Sequence, residues 1–257
     1  MEVSGRVRHA LEDPSWAWWS MVRRTWILPG RQDYRRFIVL SRSRTGSNLL
    51  ISYLNSHPRV HAEGERLARV DGRDPTEVLM EIFGPQPPPV RAKGFKIFYY
   101  HPVDADASRL WARLRADEEL YVIHLRRRNT LRAVVSRALA ERRDSWTTNR
   151  TAAPDPNAVV RLDADGVRKE FEQTEAWVRW GDSQFDGHPL LDLSYEELVA
   201  DPADAFAGVA DFLGVRRRAP WTEFRRQNPH ALSKLIENYE ELQRVFADTR
   251  WAPFFEG

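Results

Sequence analysis

The sequence predicts an α/β fold, a three-layer P-loop-like arrangement with a central parallel sheet flanked by helices. Three observations predict it. Short apolar runs at residues 37–40, 94–100, 121–125 and 189–193 read as buried strands. Stretches with helical spacing fall between and after them, an alternation that implies right-handed crossovers in a parallel sheet. A small polar loop, residues 41–46, joins the first strand to its helix, at the edge where such sheets bind ligands.

The elements follow in order. After the loop, Leu49, Leu50, Tyr53 and Leu54 recur at helical spacing until His57 and Pro58 end the helix. A proline-rich loop at residues 85–89 precedes the second strand. The third strand leads into a helix over residues 131–139, and residues 164–180 form a long amphipathic helix. Trp177 and Trp180 on it read as core, with stacking on a sugar ring as the alternative. Beyond the fourth strand come helices at 196–200 and 202–213, then a helix at 232–246 and an aromatic tail. Residues 141–163 are polar and read as a surface loop beside the site.

Residues 1–35 form an aromatic and basic extension carrying Trp16, Trp18, Trp19 and Trp26, and residues 36–257 form the domain. The extension reads as a helix packed on its own domain. Contact with a membrane surface or with an apolar substrate is the alternative.

The chain has 257 residues, enough for one domain with a sizeable core. Its net charge of +2, with both signs interspersed, argues against a dedicated nucleic-acid binder, while a pI near 9.0 leaves room for a basic pocket. With no cysteine, disulfides, thiolate metal sites and a cysteine nucleophile are excluded. No run is long and apolar enough to span a membrane, and charges interrupt the first residues where a signal peptide needs an apolar core. These features read as cytoplasmic.

The loop Ser41-Arg42-Ser43-Arg44-Thr45-Gly46-Ser47-Asn48 has the makings of an anion cradle. Free amides and the positive end of the helix dipole face a ligand at such a junction. Ser43, Thr45, Ser47 and Asn48 add side-chain donors, Arg42 and Arg44 add charge, and Gly46 permits close backbone approach. A Walker A loop is excluded, because Ser41 and Ser47 replace its first glycine and its lysine. Arg126, Arg127 and Arg128 follow the third strand, and guanidinium groups suit phosphate through paired hydrogen bonds.

Together these loops resemble the sulfotransferases that depend on 3'-phosphoadenosine 5'-phosphosulfate (PAPS). The run Arg44-Thr45-Gly46-Ser47-Asn48-Leu49-Leu50 is similar to the family's 5'-phosphosulfate loop. Arg128 and Ser136, eight positions apart, resemble its 3'-phosphate motif. The segments from Leu193 to Leu198 and from Phe212 to Val215 resemble its late strand and helices, and Asn238 to Leu242 a segment near its end. The resemblance runs from about Phe37 to the C-terminus. It is nearest to bacterial and carbohydrate-type members, such as the trehalose sulfotransferase group. Arg44 stands where the small-phenol branch has lysine, and the C-terminal basic-glycine segment of that branch has no counterpart here.

The resemblance implies transfer of a sulfuryl group from PAPS to a hydroxyl of a carbohydrate, glycolipid or hydroxylated natural product, leaving adenosine 3',5'-bisphosphate (PAP). It implies that Arg44, Thr45, Gly46, Ser47 and Asn48 hold the 5'-phosphosulfate. Arg128 and Ser136 would hold the 3'-phosphate, with Arg126 or Arg127 assisting, and Tyr195 would lie near the adenine. Arg44 would stabilise charge on the leaving group, and no metal is required. A base for the acceptor hydroxyl is expected just after the first helix. Glu65 is the first candidate and Glu63 the second, with His57, His61, His101 and His124 behind them. His124 reads instead as a strand residue satisfied by a backbone partner. Lys96 either faces the site or forms a structural ion pair. A P-loop-like kinase or NTPase and a non-catalytic anion-binding module are the alternative functions. A small-molecule or glycan acceptor is expected as partner, nucleic acid is not, and the oligomeric state is open.

Overall fold

The computed structural model describes residues 30–143, 159–224 and 230–256. The Trp-rich segment and most of the expected loop at 141–163 lie outside them. Five strands form one parallel sheet: β1 (Arg35–Ser41), β2 (Val60–Glu63), β3 (Ala92–Phe98), β4 (Tyr121–Arg126) and β5 (Leu190–Ser194), in the order β2-β3-β1-β4-β5. From β1 the chain moves outward to β2 and returns through β3. It then crosses to the other side of β1 for β4. The connections after β1 and β4 therefore run off in opposite directions across the sheet and leave a crevice at the carboxyl edge, the usual ligand position in such sheets.

Alternation along β1 divides the core. Phe37 and Val39 face α1 (Ser47–Ser56), α6 (Tyr195–Ala200) and α7 (Pro202–Phe212), while Ile38 and Leu40 face α2 (Pro75–Ile82), α3 (Ser108–Arg115) and α5 (Ala164–Gln184). The result is the predicted three-layer sandwich. A third cluster joins α4 (Thr130–Arg143) and α5 to α8 (Leu232–Leu235), α9 (Tyr239–Phe246) and the 3-10 turn Ala252–Phe255.

Several elements differ from the sequence reading. Residues 60–63, not among the four strands read from the sequence, form edge strand β2, paired in register with β3. Two unpredicted helices are present. α2 begins at an Asp74 cap that accepts from the Thr76 amide, with Pro75 at its first position. α3 buries Leu110, Trp111 and Leu114. The single helix expected at 232–246 is two. Between them the chain bridges Val160, whose amide donates to Leu235 and whose carbonyl accepts from Glu237. Residues 31–34 are tied to the domain: Arg31 pairs with Gln86, and the Tyr34 hydroxyl bonds Gly84 O at 2.8 Å.

Candidate active site

The loop after β1 is shaped by two residues at positive φ, Arg44 at 67° and Gly46 at 87°. Gly46 is the N-cap of α1, and among the described residues no side chain caps that end. The first intrahelical bond runs from Leu50 N–H to Gly46 O, and no acidic residue stands in the first turn. The amides of Ser47, Asn48 and Leu49 thus head a helix whose positive pole has no internal anion. Ser47 and Thr45 are buried, and Thr45 Oγ1 donates to Arg42 O at 2.9 Å, closing the turn.

The two arginines of the loop part ways. Arg42 is 3% exposed. It turns onto α5, pairing with Glu170 at 2.8 Å and contacting Thr174, with its guanidinium 5.6 Å from the Trp177 ring. The charge expected from Arg42 at the ligand is therefore committed to Glu170. Arg44 reaches across the crevice to α4, where its Nε and Nη2 donate to Ser136 Oγ at 3.0 and 2.9 Å. The first loop and the second anion motif, 92 positions apart in sequence, thus meet at one side-chain contact.

Arg127 completes the junction. Its Nη1 donates to Arg44 O at 3.0 Å, and its guanidinium lies 4.6 Å from the Tyr195 ring. Tyr195 packs against Gly46, where an added Cβ would stand 2.4 Å from Tyr195 Cδ2. Arg126 leans the other way, to Asp182 and to Asp192 at 2.9 Å. Arg128 is the exposed member of the run, with its side chain 66% accessible and paired to Glu197 at 2.7 Å.

The base candidates separate by face. Lys96, on the α1 side of β3, is 3% exposed and donates to Asn48 Oδ1 in the phosphate loop. Its ammonium also lies 2.6 Å from Glu65, whose side chain is 36% accessible. Burial lowers the Lys96 pKa, and Glu65 opposes that shift. Lys96 thereby ties Glu65 to the loop. Glu63, on β2, pairs with Lys93 of β3, which projects to the opposite face of the sheet from Lys96. Arg66 holds Glu63 as well, at 3.0 Å.

The four candidate histidines have structural partners. His57 accepts from Arg59 N–H through Nδ1 and donates through Nε2 to Arg216 O at 3.0 Å. His61 Nδ1 bonds Gln86 Oε1 at 2.7 Å. His101 Nδ1 accepts from Phe98 N–H, and its Nε2 is 3.9 Å from Glu65. His124 is held by side chains rather than by the expected backbone group: Nε2 meets the Tyr99 hydroxyl at 2.6 Å, and Nδ1 meets Asp182 at 3.1 Å. Trp177 and Trp180 pack on the second core cluster, as read from the sequence; Trp177 stacks on Tyr99, and Trp180 meets Trp111 edge-on.

Sequence reasoning missed the acids around this site. Glu170 holds Arg42, and Glu196 and Glu197 hold Arg128. Local spacing carries no signal for contacts 128 and 69 residues apart.

The chain is similar to nodulation protein H of Rhizobium meliloti (strain 1021), 30% identical over 238 residues that cover 86% of this chain and 94% of that protein. It is also similar to nodulation protein H of Rhizobium tropici, 29% identical over 240 residues, covering 86% and 92%. A crystal structure of a sulfotransferase from Alicyclobacillus acidocaldarius aligns with a TM-score of 0.48 at 18% identity, over 86% of this chain and 95% of that one. No protein-family model matches. An α/β protein whose two basic, polar loops meet at the carboxyl edge of a parallel sheet is the class that fold and site define. By its similarity to the nodulation proteins, the chain belongs to the PAPS-dependent sulfotransferase family.

Proposed function

We propose that this sulfotransferase takes its sulfuryl group from PAPS and delivers it to a hydroxyl of a carbohydrate, glycolipid or hydroxylated natural product. The observation that carries the reading is the Arg44–Ser136 contact, which joins the loop suited to a phosphosulfate to the motif suited to a phosphate. The donor set fits such a group. Among the described residues no side chain caps α1, and the Ser41 hydroxyl, buried at the carboxyl end of β1, has no partner. The residues lining the loop are cations, hydroxyls and amides, with no acid among residues 41–48.

PAPS would supply an already activated sulfuryl group on a good leaving group. The chain's own residues do the rest. The first-turn amides of α1 and the Arg44 guanidinium hold negative charge at the 5' end by fixed dipoles and charge, which act without reorganising. Arg128 and Ser136 hold the second phosphate, and Tyr195 closes the crevice beside Gly46. Glu65 accepts the proton of the acceptor hydroxyl. Lys96 keeps that carboxylate beside Asn48, so proton acceptance and charge stabilisation lie at neighbouring points.

The test is turnover of PAPS with a panel of oligosaccharide and glycolipid acceptors, followed by PAP release. Glu65→Gln is expected to lower kcat by about 10²- to 10⁴-fold while PAP binding persists. Undiminished turnover in that variant removes Glu65 as the base. ATP hydrolysis in place of PAPS turnover rejects the donor assignment.

A further inference from the structure

Arg128, the residue proposed to hold the 3'-phosphate, already has an anion on it. Its Nη2 donates to Glu197 Oε1 at 2.7 Å. Its backbone amide is fixed separately, donating to Glu196 Oε2 at 3.0 Å. Glu197 is itself firmly placed. Its Oε2 accepts from Ser194 N at 2.8 Å and Ser194 Oγ at 2.7 Å, closing the capping box of α6. The bonds from Ser194, with Arg128 adding its charge, hold the Glu197 carboxyl below the usual carboxylate range, so it is ionised at neutral pH.

A phosphate arriving at Arg128 must therefore displace or share a carboxylate that cannot swing away without opening the helix cap. We infer that Glu197 is a specificity-determining residue that competes with the 3'-phosphate for Arg128 and thereby sets the preference for a bisphosphate over a monophosphate nucleotide. This rests on the proposed reading of Arg128. Glu197 weakens the very contact that distinguishes PAP from AMP, and the position of the Arg128 backbone does not depend on it, because Glu196 holds that amide.

Glu197→Gln removes the charge and retains the box, since glutamine serves at the third helical position. Wild type and variant are titrated calorimetrically with PAP and with AMP at low and high salt. PAP is expected to bind about two- to fivefold tighter to the variant, the range open to an exposed ion pair. AMP affinity is expected to stay the same, and the gain should shrink as salt rises. In an Arg128→Ala background the gain should vanish, a coupling that a merely structural role for Glu197 would not produce. Unchanged or weaker PAP binding in Glu197→Gln, an equal gain for AMP, or a gain that survives Arg128→Ala each overturns the inference while leaving the donor assignment standing. A wild-type protein that binds no PAP overturns the donor assignment and this inference with it.

Discussion

His57, His101 and His124 show at the residue scale how burial decides chemistry. Burial pushes each pKa down to about 4, so all three are neutral in the folded protein near pH 7. In the unfolded chain each returns to about 6.5. Below that value the unfolded state binds more protons, so this contribution to stability is complete above about pH 6.5 and is lost as pH falls toward 4. Thermal unfolding followed from pH 7.5 to 4.5 should show Tm falling through this window. A flat profile would contradict the neutral assignment. The same scale shows where reading residues by type fails. Arg42 and Arg44 are alike in sequence, two positions apart on one loop, yet one is turned onto Glu170 of α5 and the other reaches Ser136 of α4. The partner across the fold decides the role, and neighbours in sequence do not reveal it.

The decisive element is the turn from β1 into α1. Gly46 takes φ of 87°, a region that side chains with a Cβ enter only with strain, and the Tyr195 ring fills the space a Cβ would need. Gly46→Ala should cost about 1–2 kcal/mol from the backbone conformation alone, with a further penalty from the clash. PAP affinity should fall together with Tm. Calorimetry and thermal unfolding of the variant check both, and wild-type values for each would contradict the close packing described here. The turn was legible because strand, polar loop and helix stand in one continuous stretch. The four core strands were legible as apolar runs for the same reason. β2 was not: in Val60-His61-Ala62-Glu63 only two small apolar residues alternate, and pairing with β3 makes the strand. The signals for α2 and α3 were present in Asp74-Pro75 and in the Leu110, Trp111, Leu114 spacing. The break between α8 and α9 had none, since it comes from a bridge to Val160, more than 70 residues upstream of Leu235.

Over the whole molecule, strand order does the work that no single motif can. Placing β1 between β3 and β4 sends the loop of Arg44 and the loop of Arg127 and Arg128 to one crevice. It also brings Glu65 and Lys96 to the α1 end of the same edge. The two loops suited to anions were legible in sequence as a pair of motifs. Their convergence on Ser136, and the division of Glu65 and Glu63 through Lys96 and Lys93, emerge only from the folded sheet. Among the described residues no helix is long and apolar enough to cross a membrane. We propose that the crevice holds a nucleotide with phosphates at both the 5' and 3' positions. Calorimetric titration with PAP, with ATP and AMP as controls, tests it most directly. PAP is expected to bind well above ATP or AMP. Affinity should fall by about 10- to 100-fold in Arg44→Ala and in Arg128→Ala, as loss of a hydrogen bond to a charged group requires. No PAP binding, or a preference for ATP, would contradict it.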